Sequence, residues 1–199
     1  MGISDRKQRD KDKVRCAILE ASWNLAKNEG WQDLSIRKIA DAIEYSVPVI
    51  YRHFENKQAI LSEFVRQGIE LLNRELVRAK EQTTGPEEQL KALAFAYWDF
   101  AFNNKEHYQL MFGLNMPCCK ENFPNSSDFT VIGDTIRELI VTRKSNADPK
   151  LKFHVFWSTL HGLVSIHMVN DDHERLAVLV LRDFVEGFIA NMQRIEQST

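Results

Sequence analysis

The side chains best suited to bind another molecule lie close together, between residues 35 and 57. They combine cations, hydroxyl groups and an imidazole with a short apolar run: Ser35, Arg37, Lys38, Ser46, Val47, Pro48, Val49, Tyr51, Arg52, His53 and Lys57. Cationic and hydroxyl side chains bind the phosphates of DNA, and apolar side chains can contact thymine methyl groups. This set predicts a DNA-binding surface, provided that the backbone presents the side chains together.

The apolar pattern around this set predicts two short helices joined by a tight turn. Four apolar residues recur at helical spacing: Ile36, Ile39, Ala40 and Ile43. Ser35 can cap this helix, and Ser46 can cap a second helix that holds Pro48 in its first turn. Paired helices of this kind can lay the second helix in the major groove of DNA, although they also occur in all-α proteins that bind no DNA.

The same periodicity continues along the chain and predicts an all-α fold of about nine helices. Beyond the two short helices, we expect helices over residues 13–29, 57–83, 86–102, 106–112, 129–143, 149–167 and 173–195, with an irregular stretch at 113–128. Gly30 suits a left-handed cap after the first of these helices, Asn56 can cap the next, and Pro86 with two carboxylates fits the first turn of the third. The domain organisation predicted from this pattern is a flexible arm at residues 1–12, a helix-turn-helix DNA-binding domain at 13–57, and a ligand-binding and dimerisation domain at 58–199.

Composition excludes disordered, fibrous and membrane-spanning chains. The 199 residues are 44% hydrophobic and 27% charged, which fits a soluble globular protein. The formal net charge is −2, yet residues 1–57 carry 11 Lys and Arg against 9 Asp and Glu. The N-terminus is polar and no apolar run reaches the roughly 18 residues that span a bilayer, so we expect a cytoplasmic protein.

No residue pattern predicts catalysis, a cofactor or a metal site. The sequence lacks a phosphate-binding loop, a dinucleotide fingerprint, a nucleophile elbow and the Glu-x-x-His pairs of a di-iron bundle. Cys16, Cys118 and Cys119 lack the spacing of a zinc site and should remain thiols in a reducing cytosol. The adjacent Cys118 and Cys119 could sense a soft metal or an oxidant, but two incidental small residues explain them more simply.

Aromatic and soft side chains in the later part of the chain predict a pocket for a small apolar or aromatic effector. The candidate lining residues are Phe95, Trp98, Phe102, Tyr108, Met111, Phe112, Phe153, Trp157 and His161. Most of the aromatic residues could equally form the core. His161 could be a polar anchor for a ligand, or a core histidine bonded to a backbone carbonyl or a water.

The eighth and ninth predicted helices carry apolar residues on more than one face, which predicts a homodimer with a four-helix interface. The expected interface residues are Gly162, Ile166, Val180, Phe184 and Phe188. A central helix buried within one subunit would produce the same pattern.

The segment from Ser35 onward resembles the tetracycline-repressor (TetR) family of bacterial transcriptional regulators. The likeness rests on Ile39-Ala40, Ser46, the run Ile50-Tyr51-Arg52-His53-Phe54, and Lys57 through Leu61, all at the family's spacing. In addition, Trp157 with His161-Gly162 resembles the Trp…His-Gly signature of one class of the family's C-terminal domains.

The resemblance implies a homodimer on a near-palindromic operator, with one recognition helix in each of two successive major grooves about 34–36 Å apart. It assigns phosphate contacts to Tyr51 and His53. It also implies that an effector changes the spacing of the recognition helices through helix four. Release from DNA then relieves repression, although the family includes activators.

Two features of this segment depart from the family pattern. Glu44 stands where the family usually has Gly, so either the turn takes another conformation or Glu44 carries strain of roughly 1 kcal/mol. Residues 47–49, Val-Pro-Val, offer few hydrogen bonds to bases. These departures leave open an alternative: a TetR-like protein-interaction module that binds DNA weakly or not at all.

The apolar residues 47–49 also affect how a DNA sequence would be recognised. We expect specificity from methyl contacts, from DNA shape, and from Arg52 on guanine or phosphate. Arg6, Lys7 and Arg9 of the arm are expected in a minor groove.

Overall fold

The structure is a computed structural model that describes residues 3–113, 129–169 and 174–192. Within these residues it contains nine helices and no strand, which confirms the all-α prediction: α1 (Ile3–Glu29), α2 (Ile36–Ala42), α3 (Val47–Tyr51), α4 (Lys57–Glu81), α5 (Pro86–Asn103), α6 (Lys105–Met111), α7 (Thr130–Thr142), α8 (Pro149–Val169) and α9 (Glu174–Ala190). Cys118, Cys119 and the end of the predicted ninth helix lie outside the described residues.

Helix α1 begins at Ile3, so the predicted start of helical structure near Lys13 is wrong. Apolar periodicity could not find these early turns because their side chains are exposed. Lys, Arg and Gln favour helix without burial, and Gln8 donates a hydrogen bond to the Asp12 carboxylate one turn later, at 2.9 Å. At the other end, Gly30 adopts φ +89° as the predicted left-handed cap.

A first compact unit contains α1, α2, α3, α4 as far as Gly68, and α6. Its core is built from apolar residues of several helices and of the loop between α1 and α2: Ile18, Leu34, Ile39, Ile50 and Phe64. The indole Nε1 of Trp31 donates to the Glu106 carbonyl at 2.9 Å, and the Trp23 ring lies 4.4 Å from the His107 imidazole. These contacts hold α6 against α1 and the loop that follows it.

Gly68 is a point of close approach between α4 and α6. A Cβ atom at this position would stand 2.5 Å from Sδ of Met111 and 3.1 Å from Cδ2 of His107. Both distances are shorter than ordinary van der Waals contact, so only glycine fits without a shift of these side chains.

A second compact unit contains the rest of α4 together with α5, α7, α8 and α9. Helix α5 packs against α7, α8 and α9, and its buried residues include Leu93, Tyr97 and Phe100. It begins as predicted, with Pro86 and two carboxylates in the first turn. The domain boundary at residues 57 and 58 stays a prediction, since α4 is one continuous helix from Lys57 to Glu81. None of the helices in the described part of the chain is long and apolar enough to cross a membrane.

Candidate nucleic-acid interface

Helix α2 is fixed at its start by a cap and along its length by burial. The Ser35 hydroxyl accepts a hydrogen bond from the Lys38 amide at 3.2 Å, as predicted. Ile39 and Ala40 are buried. The opposite side of α2 leaves Arg37 and Lys38 exposed, so both cations are available to a ligand.

The turn after α2 places Glu44 at φ +58°. Of the two conformations considered for this residue, the structure therefore has the left-handed one, and the strain of roughly 1 kcal/mol applies. The amide of Tyr45 donates to the Ala40 carbonyl at 3.0 Å. This bond closes the turn and sets the direction of α3.

Helix α3 buries one side and presents the other. Ile50 is fully buried, and Phe54, just after the helix, is nearly so. Pro48 and Arg52 are exposed, and Tyr51 is 53% exposed. The half-buried Val47 and Val49 flank Pro48, and exposed Ser46 precedes the helix with no capping bond from its hydroxyl. The outward surface therefore combines an apolar patch with Tyr51 and Arg52.

Arg15 of α1 supports the end of α3, a role that sequence analysis missed. Its guanidinium donates to the His53 carbonyl at 3.4 Å, lies 3.4 Å from the Glu63 carboxylate and stands 4.3 Å from the centre of the Phe54 ring. The sequence signal was a cation one turn before Ile18, on the core-facing side of α1. Such a cation needs partners within the domain.

His53 is half-buried in a cationic environment. Burial lowers its pKa, and the nearby charges of Lys11, Arg15 and Arg52 lower it further. Its buried Nδ1 has no hydrogen-bond partner among the described residues. The neutral imidazole is thus the favoured form near pH 7, and a nearby anion would raise its pKa.

Lys57 begins α4 beside the end of α3. Its ammonium donates to the Gln32 carbonyl at 3.1 Å. Asn56 caps α4 as predicted, accepting from the Ala59 amide at 2.9 Å. A cation next to a helix N-terminus forms a site with positive potential, which favours phosphate.

The minor-groove prediction for Arg6, Lys7 and Arg9 does not fit the structure. These residues belong to α1. A helix with side chains is about 10–12 Å across, whereas the minor groove of B-form DNA is about 6 Å wide. A helical segment cannot enter an undeformed minor groove.

Two family models match most of the chain. Residues 18–64 match the model described as bacterial regulatory proteins, tetR family, and residues 90–190 match the tetracyclin repressor-like C-terminal domain. The chain belongs to the TetR family. It is thus a regulatory protein whose helix-turn-helix segment is α2, the Glu44 turn and α3.

The similarity of this TetR-family chain to individual regulators is modest. The transcriptional activator FasR of Mycolicibacterium smegmatis is 26% identical over 102 residues, which are 51% of this chain and 47% of FasR. The regulator Rv0681 of Mycobacterium tuberculosis is 26% identical over 190 residues, which are 90% of this chain and 82% of Rv0681. The chain therefore spans about half the length of FasR and most of Rv0681.

A solved structure shows the same fold over nearly the whole chain. FadR of Bacillus subtilis, in complex with stearoyl-CoA, aligns with a TM-score of 0.62 at 16% identity and covers 89% of this chain and 97% of FadR. At this identity the likeness concerns the TetR fold alone.

The nine predicted effector-contacting residues divide between the two compact units. Tyr108, Met111 and Phe112 lie buried in the first unit. The others lie in the second unit: Phe95, Trp98, Phe102, Phe153, Trp157 and His161. Each set is packed with residues of its own unit, for example Tyr108 with Phe112 at 4.6 Å between ring centres.

Within the second unit, Trp157 lies at the centre of an aromatic cluster. Its ring stacks on Phe129 at 4.3 Å and meets the edge of Tyr97 at 5.1 Å. The hydroxyl of Tyr97 lies 3.2 Å from Nδ1 of His161, and that of Ser165 lies 3.5 Å from Nε2. Burial lowers the pKa of His161. These contacts fit the core-histidine alternative as well as the ligand-anchor one.

A groove of about 560 Å³ lies between the second half of α4 and α5. Of the predicted effector residues, Phe95 lines it. Sequence analysis missed its other main lining residues: Leu71, Glu75, Arg78, Asp99 and Asn103. They were missed because the search was for aromatic residues, and charged residues on a helix are usually only solvated.

The predicted dimerisation residues also differ in exposure. Ile166 is 59% exposed, Val180 is exposed and Phe184 is half-buried, whereas a Cβ added to Gly162 would meet no atom within 4 Å. Phe188 is only 7% exposed because its ring packs on Phe156, 5.0 Å away. This packing favours, for Phe188, the alternative of burial within one subunit, and its role in a dimer interface stays a prediction.

Proposed function

We propose that this protein is a sequence-specific DNA-binding transcriptional regulator, a homodimer that a small effector releases from its operator. The observation that carries the proposal is the geometry of α3. Ile50 faces the core while Pro48 and Arg52 face outward, within a segment that matches the TetR family. A short helix that packs on the core with one side and exposes the other side suits insertion into the major groove.

The candidate DNA contacts fall into two groups. Positioning contacts to the phosphates are proposed for the polar set, Ser35, Arg37, Lys38, Ser46, Tyr51, His53 and Lys57. Contacts with bases are proposed for residues 47–49, through thymine methyl groups, and for Arg52. Lys38 pairs with the Glu29 carboxylate at 2.6 Å, and both side chains are exposed. Such a pair exchanges readily for a phosphate.

The homodimer is proposed from exposed apolar stripes on α8 and α9. On α8 the stripe consists of Leu151, Val155, Gly162 and Ile166, and on α9 of Leu176, Val180 and Gly187. Both glycines have open space beside them, so a second subunit could approach closely. Two subunits joined in this way would present two α3 helices to one operator.

The effector is proposed to be a small, largely apolar molecule bound in the second unit. FadR, whose fold is similar, binds stearoyl-CoA, and the second unit of this chain offers the groove beside Phe95 and the cluster around Trp157. An effector need only bind the DNA-incompetent state better by a few kcal/mol to shift the population. The proposed direction of regulation is repression, which ligand binding relieves.

A protein-interaction module is the second candidate function. The strained Glu44 and the apolar residues 47–49 favour it, because an exposed apolar patch can bind another protein. Binding to random duplex DNA at several salt concentrations separates the two candidates. A DNA-binding regulator binds the duplex with an affinity that falls steeply as the salt concentration rises, whereas an interaction module shows little binding at any salt concentration.

The Lys57→Ala variant tests the proposed contact mode. Loss of one phosphate contact in each subunit should weaken binding evenly across DNA sequences and reduce the salt slope by about one per subunit, which is about two for the homodimer. Lys91→Ala is the matched control, since Lys91 pairs with Glu88 in the second unit. A changed base preference in Lys57→Ala would contradict the phosphate role. Selection of bound genomic fragments would then give the operator, and G·C preference at every contacted position would contradict methyl readout.

A further inference from the structure

The early turns of α1 extend beyond the core of the first unit. Every residue from Asp5 to Lys13 is exposed, whereas Ile18 is fully buried. The helix therefore projects from the unit and offers its side chains to another molecule.

The charges of this projection are segregated around the helix. With 3.6 residues per turn, Lys7, Lys11 and Arg15 fall on one line, which we call the cationic stripe, and the line continues into Ile18. The aspartates of the segment fall outside the stripe: Asp5, Asp10 and Asp12. Neither Lys7 nor Lys11 has an ion-pair partner among the described residues.

The cationic stripe starts beside the end of α3. Arg15 bonds the His53 carbonyl at 3.4 Å and rests on the Phe54 ring. Lys11, one turn further out, is near enough to His53 to lower its pKa. From Arg15 to Lys7 the stripe extends for roughly 12 Å, at 1.5 Å per residue.

We propose that the cationic stripe is a second DNA-backbone site, which lies along the phosphates beside the major groove that α3 enters. The inference rests on the proposed DNA-binding function. Duplex DNA carries a phosphate charge about every 1.7 Å of its axis, so a stripe of this length meets several phosphates. The helical form of the segment directs it to the backbone, because the helix is too wide for an undeformed minor groove.

A pair of double variants tests this site. Lys7→Gln/Lys11→Gln removes two cations from the stripe, and Arg6→Gln/Arg9→Gln removes two from the other sides of the same helix. Binding of the full-length protein to selected operator and to random duplex is measured by fluorescence anisotropy between about 50 and 300 mM salt. Each lost phosphate contact reduces the slope of log K against log salt by about 0.9. Because the proposed homodimer loses two contacts in each subunit, we expect a reduction of about 3.6 for the stripe variant and less than half of that for its control.

The possible outcomes separate the inference from the function on which it rests. Equal reductions in both double variants would mean that only net charge matters, which overturns the stripe. A larger loss in Arg6→Gln/Arg9→Gln, with altered A·T preference, would place the segment in a deformed minor groove and also overturn it. If wild-type protein binds no duplex at all, the proposed function itself fails. Circular dichroism should show the same helix content in all variants, since the replaced side chains are exposed.

Discussion

Replacement of Gly68 by alanine should destabilise the protein, because the steric cost of the added methyl group exceeds the gain in helix propensity. Alanine in a helix interior is favoured over glycine by about 1 kcal/mol. At Gly68, however, the new Cβ would stand 2.5 Å from Sδ of Met111, which is fully buried. The sulfur must move by about 1 Å to restore ordinary contact, and overpacking of this kind costs about 1–3 kcal/mol. We expect a net loss of about 1 kcal/mol.

The effect of Gly68→Ala on the free energy of unfolding should change sign when Met111 is shortened. Met111→Ala alone leaves a cavity and should cost about 2–5 kcal/mol. In that background the main steric obstacle is gone, so Gly68→Ala should stabilise by up to about 1 kcal/mol, limited by the remaining contact with His107. The coupling energy between the two sites is then about 1–3 kcal/mol.

Urea unfolding of wild type, both single variants and the double variant measures these four free energies. Gly133→Ala is the control, because a Cβ there would stand 3.8 Å from Phe153, an ordinary contact. This control should stabilise the protein by up to about 1 kcal/mol, or raise its melting temperature by roughly 2–4 °C. An equal destabilisation by Gly68→Ala with and without Met111 would refute the steric explanation.

Three further predictions follow from the turn, the caps and a buried imidazole. Glu44→Gly should stabilise the protein by about 0.5–1 kcal/mol, measured by urea unfolding, because glycine relieves the left-handed strain; a loss of stability would contradict this. Ser35→Ala should cost about 1 kcal/mol in the same assay, and Ser46→Ala much less, because only the Ser35 hydroxyl makes a capping bond; equal losses would show that the cap is unimportant. Burial lowers the pKa of His107 below 6.5, so its contribution to stability is present above pH 6.5 and is lost as the pH falls through the lowered value. Unfolding free energies between pH 8 and 5 should therefore fall less steeply in His107→Gln than in wild type.

Local signals of sequence predicted the helix-turn-helix well. The cap at Ser35, the left-handed cap at Gly30 and the cap at Asn56 depend on residue type and short-range geometry, and the structure has all three. The apolar spacing also identified Ile39 and Ile50 as the inward side. Such features depend on residues that are close together in the chain, so a single sequence is enough to predict them.

Long-range and fully exposed features were not predictable in the same way. Arg15 meets His53, which is 38 residues away in the sequence, and periodicity contains no information on such a pair. The exposed start of α1 lacks the apolar pattern that marks a helix. The sequence could not decide whether Phe188 belongs to an interface, because burial within a subunit and burial between subunits select the same side chains.

The separation of inner and outer residues on α3 has a consequence for how DNA specificity can evolve. Ile50 is held in the core, whereas Pro48 and Arg52 lie on the outside. Substitutions at such exposed positions usually change stability by no more than about 0.5 kcal/mol. Given the base contacts proposed for these residues, a descendant of this protein could acquire a new operator by exchanging outer residues alone, and an engineer could make libraries at positions 48 and 52 without selecting again for folding.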